Sequence, residues 1–127
     1  MNFPLLILFF LSFNAMAEFS GDWDYEYGSN SMSLVLFEDS GKVFGRYCFV
    51  TNSGNRIDCA GEDEVNVKGT VINNVGQITF ESTFGGTGKA TIKINSDLLT
   101  YTITDHAPFV EANMSVPHVI IFNKRKK

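Results

Sequence analysis

The strongest constraint on the fold is a two-residue alternation of side chains in residues 20–50. Near its start three aromatic residues alternate with three acidic ones: Trp23, Tyr25 and Tyr27 with Asp22, Asp24 and Glu26. A period of two puts alternate side chains on opposite faces of a strand. Residues 28–30 and 39–41 interrupt the pattern, and apolar runs at 32–37 and 42–50 follow. The stretch therefore predicts three strands joined by short turns, an up-and-down meander.

The rest of the chain continues this alternation. Apolar and polar residues alternate in further runs at residues 65–72, 75–84, 89–95, 99–104 and 117–122. No stretch shows a 3.6-residue period, and residues 105–115 read as irregular. Hairpin-linked strands that are polar on one side favour a closed sheet, because closure pairs the backbone N–H and C=O groups that two edge strands would otherwise expose. We therefore predict an all-β fold, a single antiparallel up-and-down β-barrel of about eight strands, with a β-sandwich as the alternative.

The two cysteines fit a disulfide across one hairpin. A four-residue loop, 52–55, places Thr51 opposite Arg56, and the same register makes Cys48 and Cys59 cross-strand neighbours. If Thr51 and Arg56 form a hydrogen-bonded pair, alternation makes the cysteines a non-hydrogen-bonded pair, where the two backbones lie closest. Closing this loop is worth roughly 3 kcal/mol. A redox-active pair is the alternative, but the C-x-x-C spacing is missing.

Residues 1–17 read as a secretory signal peptide. Residues 3–13 are nearly all apolar, too short a run for the roughly 20 residues of a membrane span. Ala15, Met16 and Ala17 give the small-x-small pattern of a signal peptidase site. We expect cleavage after Ala17 and a secreted or periplasmic protein, with an uncleaved anchor as the alternative. The mature chain then consists of a β-barrel domain, residues 18–123, and a basic C-terminal tail, residues 124–127.

The charge of the mature chain is unevenly distributed. The chain has fourteen acidic and ten basic residues, and four of the basic ones are residues 124–127, so residues 18–123 carry a net charge of -8. A body this acidic repels phosphates, so we expect no nucleic acid partner. After signal cleavage we also expect no membrane insertion. The basic tail is expected to be a solvated terminus, or else a contact for an anionic surface.

A family resemblance follows from the glycines and aromatics of the first three strands. Gly21, Asp22 and Trp23 resemble the G-x-W opening motif of the calycin barrels, the lipocalins and avidins. The likeness to avidins extends over a longer set of positions: Gly21, Trp23, Gly28, Ser29, Gly41, Gly45 and Tyr47, with Lys68, Gly69 and Thr70 in a later strand. The resemblance implies a small secreted barrel with Trp23 packed at its floor.

The same resemblance argues against biotin as the ligand. Ser29 and Tyr47 match the avidin positions that hold the ureido head of biotin. However, Tyr25 stands where avidins carry an asparagine, and Phe49 stands where they carry a small hydroxyl residue. Avidins also line the pocket with several tryptophans, and this chain has only Trp23. The resemblance therefore implies the calycin-like barrel without the biotin-binding tryptophans.

No catalytic or metal-binding pattern is found in the sequence. His106 and His118 are twelve residues apart, without the spacing that places two imidazoles on one metal. Residues 85–89 lack the full phosphate-loop pattern and precede a strand rather than a helix. Residues 62–64 are acidic but lack the spaced oxygen ligands of a calcium loop. We expect no enzyme, no catalytic residue, no cofactor and no metal.

The first interpretation of function is therefore small-molecule binding. If the first-strand aromatics point inwards, the barrel mouth becomes a cup for a small apolar or aromatic ligand. The expected ligand-binding residues are Tyr25, Tyr27, Ser29, Tyr47, Phe49 and Tyr101. The alternative is that these aromatics simply fill the interior of an eight-stranded barrel.

The second interpretation is protein binding. In this case the protein is a periplasmic inhibitor or immunity-type module whose acidic rim loops cover a basic partner. The net charge of -8 on residues 18–123 motivates this interpretation. The sequence leaves the oligomeric state open, with a homo-oligomer as one alternative.

Overall fold

The protein is described by a computed structural model that covers residues 18–126. The nine strands are β1 (Gly21–Tyr27), β2 (Asn30–Asp39), β3 (Lys42–Thr51), β4 (Arg56–Cys59), β5 (Val67–Ile72), β6 (Val75–Glu81), β7 (Thr87–Asn95), β8 (Leu98–Asp105) and β9 (Val119–Lys124). A 3-10 turn spans Asn52–Gly54, and one short helix, α1, spans Ala107–Glu111. The expected signal peptide, residues 1–17, lies outside the described residues, as does Lys127.

Eight of the strands form a closed antiparallel barrel, which confirms the predicted fold class. The sheet runs β2-β1-β9-β8-β7-β6-β5-β3, and β2 pairs with β3 to complete the circle. The short β4 pairs with the second half of β3, while β5 pairs with the first half. The result is a small all-β barrel compatible with a calycin-like fold.

The barrel has two structurally different ends. Tight turns at residues 40–41, 73–74 and 96–97 lie at one end, together with residues 18–20; we call it the floor end. Asn73 and Asn74 both have positive φ angles, 54° and 65°, as a two-residue type I′ hairpin turn requires. The other end, which we call the α1 end, carries the two-residue turn 28–29 and the longer connections 52–55, 82–86 and 106–118.

Trp23 closes the floor end, as the resemblance implies. Its side chain is 1% exposed, and its indole N–H donates a hydrogen bond of 3.0 Å to the carbonyl of Phe19. The Nζ atom of Lys124 lies 4.9 Å from the centre of the Trp23 ring and donates a hydrogen bond to the carbonyl of Ser20. The first described residues therefore fold over the floor of the barrel.

The predicted disulfide hairpin is confirmed in every pair of its register. Thr51 lies opposite Arg56, and Cys48 lies opposite Cys59 with their Cα atoms 4.0 Å apart. The bond joins Cys48 to Cys59, and both residues are half-buried. A disulfide is consistent with an extracellular or periplasmic protein, because such compartments are oxidising.

Three local predictions are wrong. Residues 105–115 contain α1 rather than only irregular chain. The run at residues 75–84 predicts a strand that reaches Phe84, but β6 ends at Glu81 and Phe84 is 52% exposed in the following loop. Lys124 is the last residue of β9 and is half-buried, so the basic tail does not begin at residue 124; the exposed Arg125 that follows forms a salt bridge with Asp24.

Candidate functional site

The interior at the α1 end is filled with aromatic rings. Six fully buried side chains pack together there: Tyr47, Phe49, Phe80, Tyr101, Phe109 and Phe122. We call this set the aromatic cluster. The ring centres of Tyr47 and Phe49 are 4.4 Å apart, and those of Phe80 and Tyr101 are 6.5 Å apart. Such spacings are those of aromatic pairs in contact, so the rings occupy the space in which a ligand was expected.

Phe109 of helix α1 closes the barrel mouth. Pro108 lies in the first turn of α1, where a missing N–H is tolerated. The Phe109 ring stacks on Phe80 with centres 5.0 Å apart and planes inclined by 12°. Its edge-to-face contact with Tyr47 has a centre distance of 6.2 Å. Helix α1 therefore inserts one side chain into the barrel, and that side chain is 0% exposed.

A buried carboxylate, Asp58 on β4, organises the polar groups beneath this plug. Its Oδ2 atom accepts a hydrogen bond of 2.7 Å from the Tyr47 hydroxyl. Its Oδ1 atom accepts bonds of 2.8 Å and 2.9 Å from the backbone N–H and the hydroxyl of Thr83. These donors satisfy a charge that would otherwise be very costly to bury. Burial, and then the hydrogen bond to Asp58, raises the pKa of Tyr47 above its usual value.

Tyr101 contrasts with Tyr47. Its side chain is also fully buried, but within residues 18–126 its hydroxyl has no hydrogen-bond partner. Burial raises the pKa of Tyr101, with a smaller contribution from the charge of Asp58. The aromatic cluster therefore contains one satisfied and one unsatisfied phenol.

The six expected ligand-binding residues do not form one pocket. Tyr47, Phe49 and Tyr101 converge in the aromatic cluster and are fully buried. Tyr25 is half-buried, and its ring centre is 6.2 Å from that of Phe122.

The other two ligand-binding candidates lie outside the barrel. Tyr27, expected to point inwards, is 75% exposed, and Ser29 is exposed in the turn that follows β1. The inward orientation of Tyr27 is therefore wrong. The physical reason is that β1 pairs with β9 only at Trp23 and Asp24, so no neighbouring strand covers its last residues on that side.

Exposed apolar side chains stand on three separate connections of the α1 end. Tyr27 is 75% exposed beside the β1–β2 turn, Val110 is 69% exposed on α1, and Phe84 is 52% exposed in the β6–β7 loop. We call these three residues the apolar rim. Single exposed apolar side chains are ordinary and occur elsewhere on this barrel, as at Ile72, which is 68% exposed. The apolar rim is a candidate contact surface because its three members share the end that Phe109 closes.

Hydrogen bonds from side chains to backbone join two connections of the α1 end, the one between β3 and β4 and the one between α1 and β9. The Oδ1 atom of Asn52 accepts a bond of 3.0 Å from the Ser115 N–H, and its Nδ2 atom donates one of 3.3 Å to the Asn113 carbonyl. The Nε atom of Arg56 donates a bond of 2.9 Å to the carbonyl of Ala112. The 3-10 turn and the segment after α1 are therefore joined, which reduces the entropy lost when a partner binds.

Acidic residues predominate around this end. The carboxylates are Glu26, Glu81, Asp105 and Glu111. The basic residues nearby are Arg56 and Lys89, of which Arg56 donates a hydrogen bond to a backbone carbonyl. The α1 end therefore presents exposed apolar groups within a negative electrostatic environment.

The two histidines meet at the α1 end although the sequence predicted no pairing. Their Nδ1 atoms are 3.1 Å apart, and the Nε2 atom of His106 lies 2.7 Å from the carbonyl oxygen of Val116. Burial lowers the pKa of His106 below its usual value. The contact joins the start of α1 to the chain just before β9.

The outer face of β1 carries a groove and an ion-pair cluster. The groove has a volume of about 700 Å³, and its walls include Asp24, Ser33 and Arg125. Arg125 binds Asp24 with both ends of its guanidinium, at 2.7 Å and 2.6 Å, and lies 3.3 Å from Asp22. The hydrogen bond from Arg125 lowers the pKa of Asp24. Arg125 thus pairs with Asp22 and Asp24, two of the acidic residues that alternate with the aromatic ones in β1.

Sequence reasoning missed Phe109, Asp58 and the histidine contact. Phe109 lies in a segment with no alternation, and α1 is too short to show a helical period. The burial of Asp58 was predictable from the sequence, because the hairpin register places Asp58 opposite Phe49, a core residue. The histidine contact depends on the path of residues 106–118, which no local pattern specifies.

Among residues 18–126 there is no group of three or more histidine, cysteine, aspartate or glutamate side chains that could hold a metal ion. In the same part of the chain no helix has the length and apolar character needed to cross a membrane. Comparisons of the chain with protein families, with curated proteins and with solved structures found no match.

Proposed function

We propose that this protein is an exported, non-enzymatic binding module that holds a basic protein partner at the α1 end of its barrel, as an inhibitor or immunity-type protein would. The observation that carries the proposal is the insertion of Phe109 into the barrel mouth, beside an exposed apolar rim on three connections. The plug removes the opening through which a small ligand would reach Tyr47, Phe49 and Tyr101.

Binding of a small ligand inside the barrel is less well supported. A ligand would have to displace Phe109, and exposing a buried phenylalanine loses about 1.5–3 kcal/mol. It would also have to separate rings that already contact one another, such as Tyr47 and Phe49. Tyr27 and Ser29 remain accessible, but they lie outside this interior.

The chemistry of the α1 end fits a protein partner. Interfaces between proteins concentrate their binding energy in a few aromatic and apolar side chains, surrounded by a polar rim. Tyr27, Phe84 and Val110 supply the apolar groups, and the surrounding carboxylates favour a positively charged surface. Long-range attraction between opposite charges mainly raises the association rate and depends on salt.

The experiment begins with the mature chain immobilised and exposed to extracellular and periplasmic extract of its source organism. A captured protein is then purified, and its affinity is measured by titration calorimetry against three forms of the module. The rim variant carries Tyr27→Ser, Phe84→Ser and Val110→Ser. The matched control carries Phe37→Ser and Phe44→Ser, which alter a stacked, exposed pair on the wall formed by β2 and β3.

We expect the rim variant to bind at least tenfold more weakly, while the wall control binds like the unmodified chain. Such a loss corresponds to about 1.4 kcal/mol, a modest fraction of what interface anchors contribute. The proposal is wrong if the wall control, and not the rim variant, loses affinity. It is also wrong if the extract yields only a small molecule.

A further inference from the structure

The strongest unexplained feature of the structure is the contact between its two histidines, which are the only histidines in the chain. His106 immediately precedes α1, and His118 immediately precedes β9. The centres of the two rings are 4.0 Å apart, and the Nδ1 atoms face each other at 3.1 Å. The contact therefore joins the two ends of the connection that carries the plug residue Phe109.

Hydrogen bonding determines which nitrogen of His106 is available. Its Nε2 atom lies 2.7 Å from the carbonyl oxygen of Val116, which can only accept a hydrogen bond. Nε2 therefore carries the proton in neutral His106, and Nδ1 presents its lone pair. Metal-binding histidines typically have this arrangement, with one ring N–H donated to a carbonyl that fixes the orientation of the ring.

The spacing of the two Nδ1 atoms also suits a shared metal ion. With metal–nitrogen bonds of about 2.0–2.1 Å, ligand angles between square-planar and tetrahedral values separate two nitrogens by roughly 2.9–3.4 Å. The 3.1 Å separation falls inside that range. Coordination would therefore require the proton of neutral His118 to move from Nδ1 to Nε2 by exchange with water. It would also require the two rings, whose centres are 4.0 Å apart, to turn so that both Nδ1 lone pairs point at one ion.

We propose that His106 and His118 form a two-histidine site for a divalent transition metal ion of the Zn²⁺, Ni²⁺ or Cu²⁺ class. Imidazole suits these ions, whereas Mg²⁺ and Ca²⁺ prefer oxygen ligands. The bound ion cross-links the two ends of residues 106–118 and so holds Phe109 in the barrel mouth. Its remaining coordination positions are filled by water. The proposal does not depend on the proposed partner.

The experiment uses the mature chain without a histidine tag, after treatment with a chelator, and Zn²⁺ as the probe. Calorimetry measures the affinity and the number of ions bound, and thermal unfolding is recorded with and without Zn²⁺. The test variant is His118→Ala, because His118 is exposed and its loss leaves the core unchanged. The control variant carries Glu62→Gln, Asp63→Asn and Glu64→Gln in the connection between β4 and β5, residues 60–66, which we call the acidic linker.

We expect one ion per chain, affinity at least tenfold weaker in His118→Ala, and unchanged affinity in the acidic-linker control. Zn²⁺ should raise the unfolding temperature of the unmodified chain but not that of His118→Ala, since an ion bound only to the folded state stabilises it. Paramagnetic Ni²⁺ should broaden the NMR signals of both imidazoles.

Three results would overturn the site. The first is unchanged Zn²⁺ affinity in His118→Ala. The second is loss of binding in the acidic-linker control. The third is one ion per two chains with dimer formation in analytical ultracentrifugation, because His118 would then bind the ion between molecules.

Discussion

At the scale of single residues, the two buried phenols of the aromatic cluster have opposite energetic roles. The Tyr47 hydroxyl donates a hydrogen bond to Asp58, a fully buried carboxylate. The Tyr101 hydroxyl is buried without a partner among the described residues. Removing a donor from a buried charge leaves that charge unsatisfied, whereas removing an unpaired polar atom relieves a desolvation penalty. The same substitution should therefore have different effects at these two positions.

We predict that Tyr47→Phe lowers the free energy of unfolding by about 1–3 kcal/mol. Tyr101→Phe, the matched control, should leave it unchanged or raise it, because the ring packing is kept in both variants. Urea unfolding of the two variants at neutral pH provides the measurement. Equal destabilisation by the two substitutions would contradict the assigned roles.

At the scale of elements, helix α1 is stabilised by the packing of its two buried residues, Pro108 and Phe109. It has five residues, far fewer than an isolated helix needs in water. Phe109 is fully buried against Phe80, while its neighbour Val110 is 69% exposed. The position of α1 therefore depends on the buried ring rather than on helix propensity.

Truncation of the plug tests this interpretation. We predict that Phe109→Ala lowers the free energy of unfolding by about 3–5 kcal/mol, the usual range for a buried phenylalanine. The matched control Val110→Ala should change it by less than about 0.5 kcal/mol, as is usual for surface positions. Denaturant unfolding measures both values. A small effect of Phe109→Ala would show that α1 does not depend on this ring.

The β3–β4 hairpin is the element that the sequence predicted in most detail. Two cysteines and a four-residue loop gave its register, because only one pairing brings Cys48 and Cys59 together. Helix α1 could not be predicted in this way, since five residues give no period to detect. The histidine contact and the exposed position of Tyr27 depend on how connections pass over the barrel end, which is a tertiary property.

Removing the disulfide should lower the free energy of unfolding by about 3 kcal/mol, because the crosslink restricts the unfolded chain. The variant for this test carries Cys48→Ala and Cys59→Ala, and its unfolding by urea is compared with that of the oxidised chain. Reductant should destabilise the unmodified chain and leave the variant unchanged. A response of the variant to reductant would contradict this assignment.

At the scale of the whole molecule, the closure between β1 and β9 is the least extensive pairing of the barrel. Only two residue pairs join these strands, Trp23 with Lys124 and Asp24 with Asn123. Beyond β9 the backbone N–H of Arg125 donates a 2.8 Å hydrogen bond to the Asp22 carbonyl. The Arg125 guanidinium then binds the Asp24 carboxylate. An ion pair therefore reinforces the point at which the barrel closes.

This ion pair makes a defined contribution to the pH dependence of stability. The hydrogen bond from Arg125 lowers the pKa of Asp24 in the folded protein below its ordinary value of 3.8. The ionised Asp24 therefore adds its full contribution to the free energy of unfolding above pH 3.8, and this contribution is lost as the pH falls through the lower pKa of the folded state. Because the pair is exposed, we predict that Asp24→Asn lowers the free energy of unfolding by at most about 1 kcal/mol at neutral pH.

The difference between Asp24→Asn and the unmodified chain should narrow below about pH 4. Urea unfolding across this pH range measures it, with Asp63→Asn in the linker as the control. A difference that stays constant at acidic pH would contradict the role of the pair.

The central claim is that the barrel is filled and closed by its own side chains, which is why the proposed binding surface lies outside it, at the α1 end. Native mass spectrometry of the mature protein, purified from its own source and treated with chelator, tests this claim most directly. The account predicts the mass of the polypeptide with its one disulfide and no retained organic molecule. A small organic molecule bound in stoichiometric amount would contradict it.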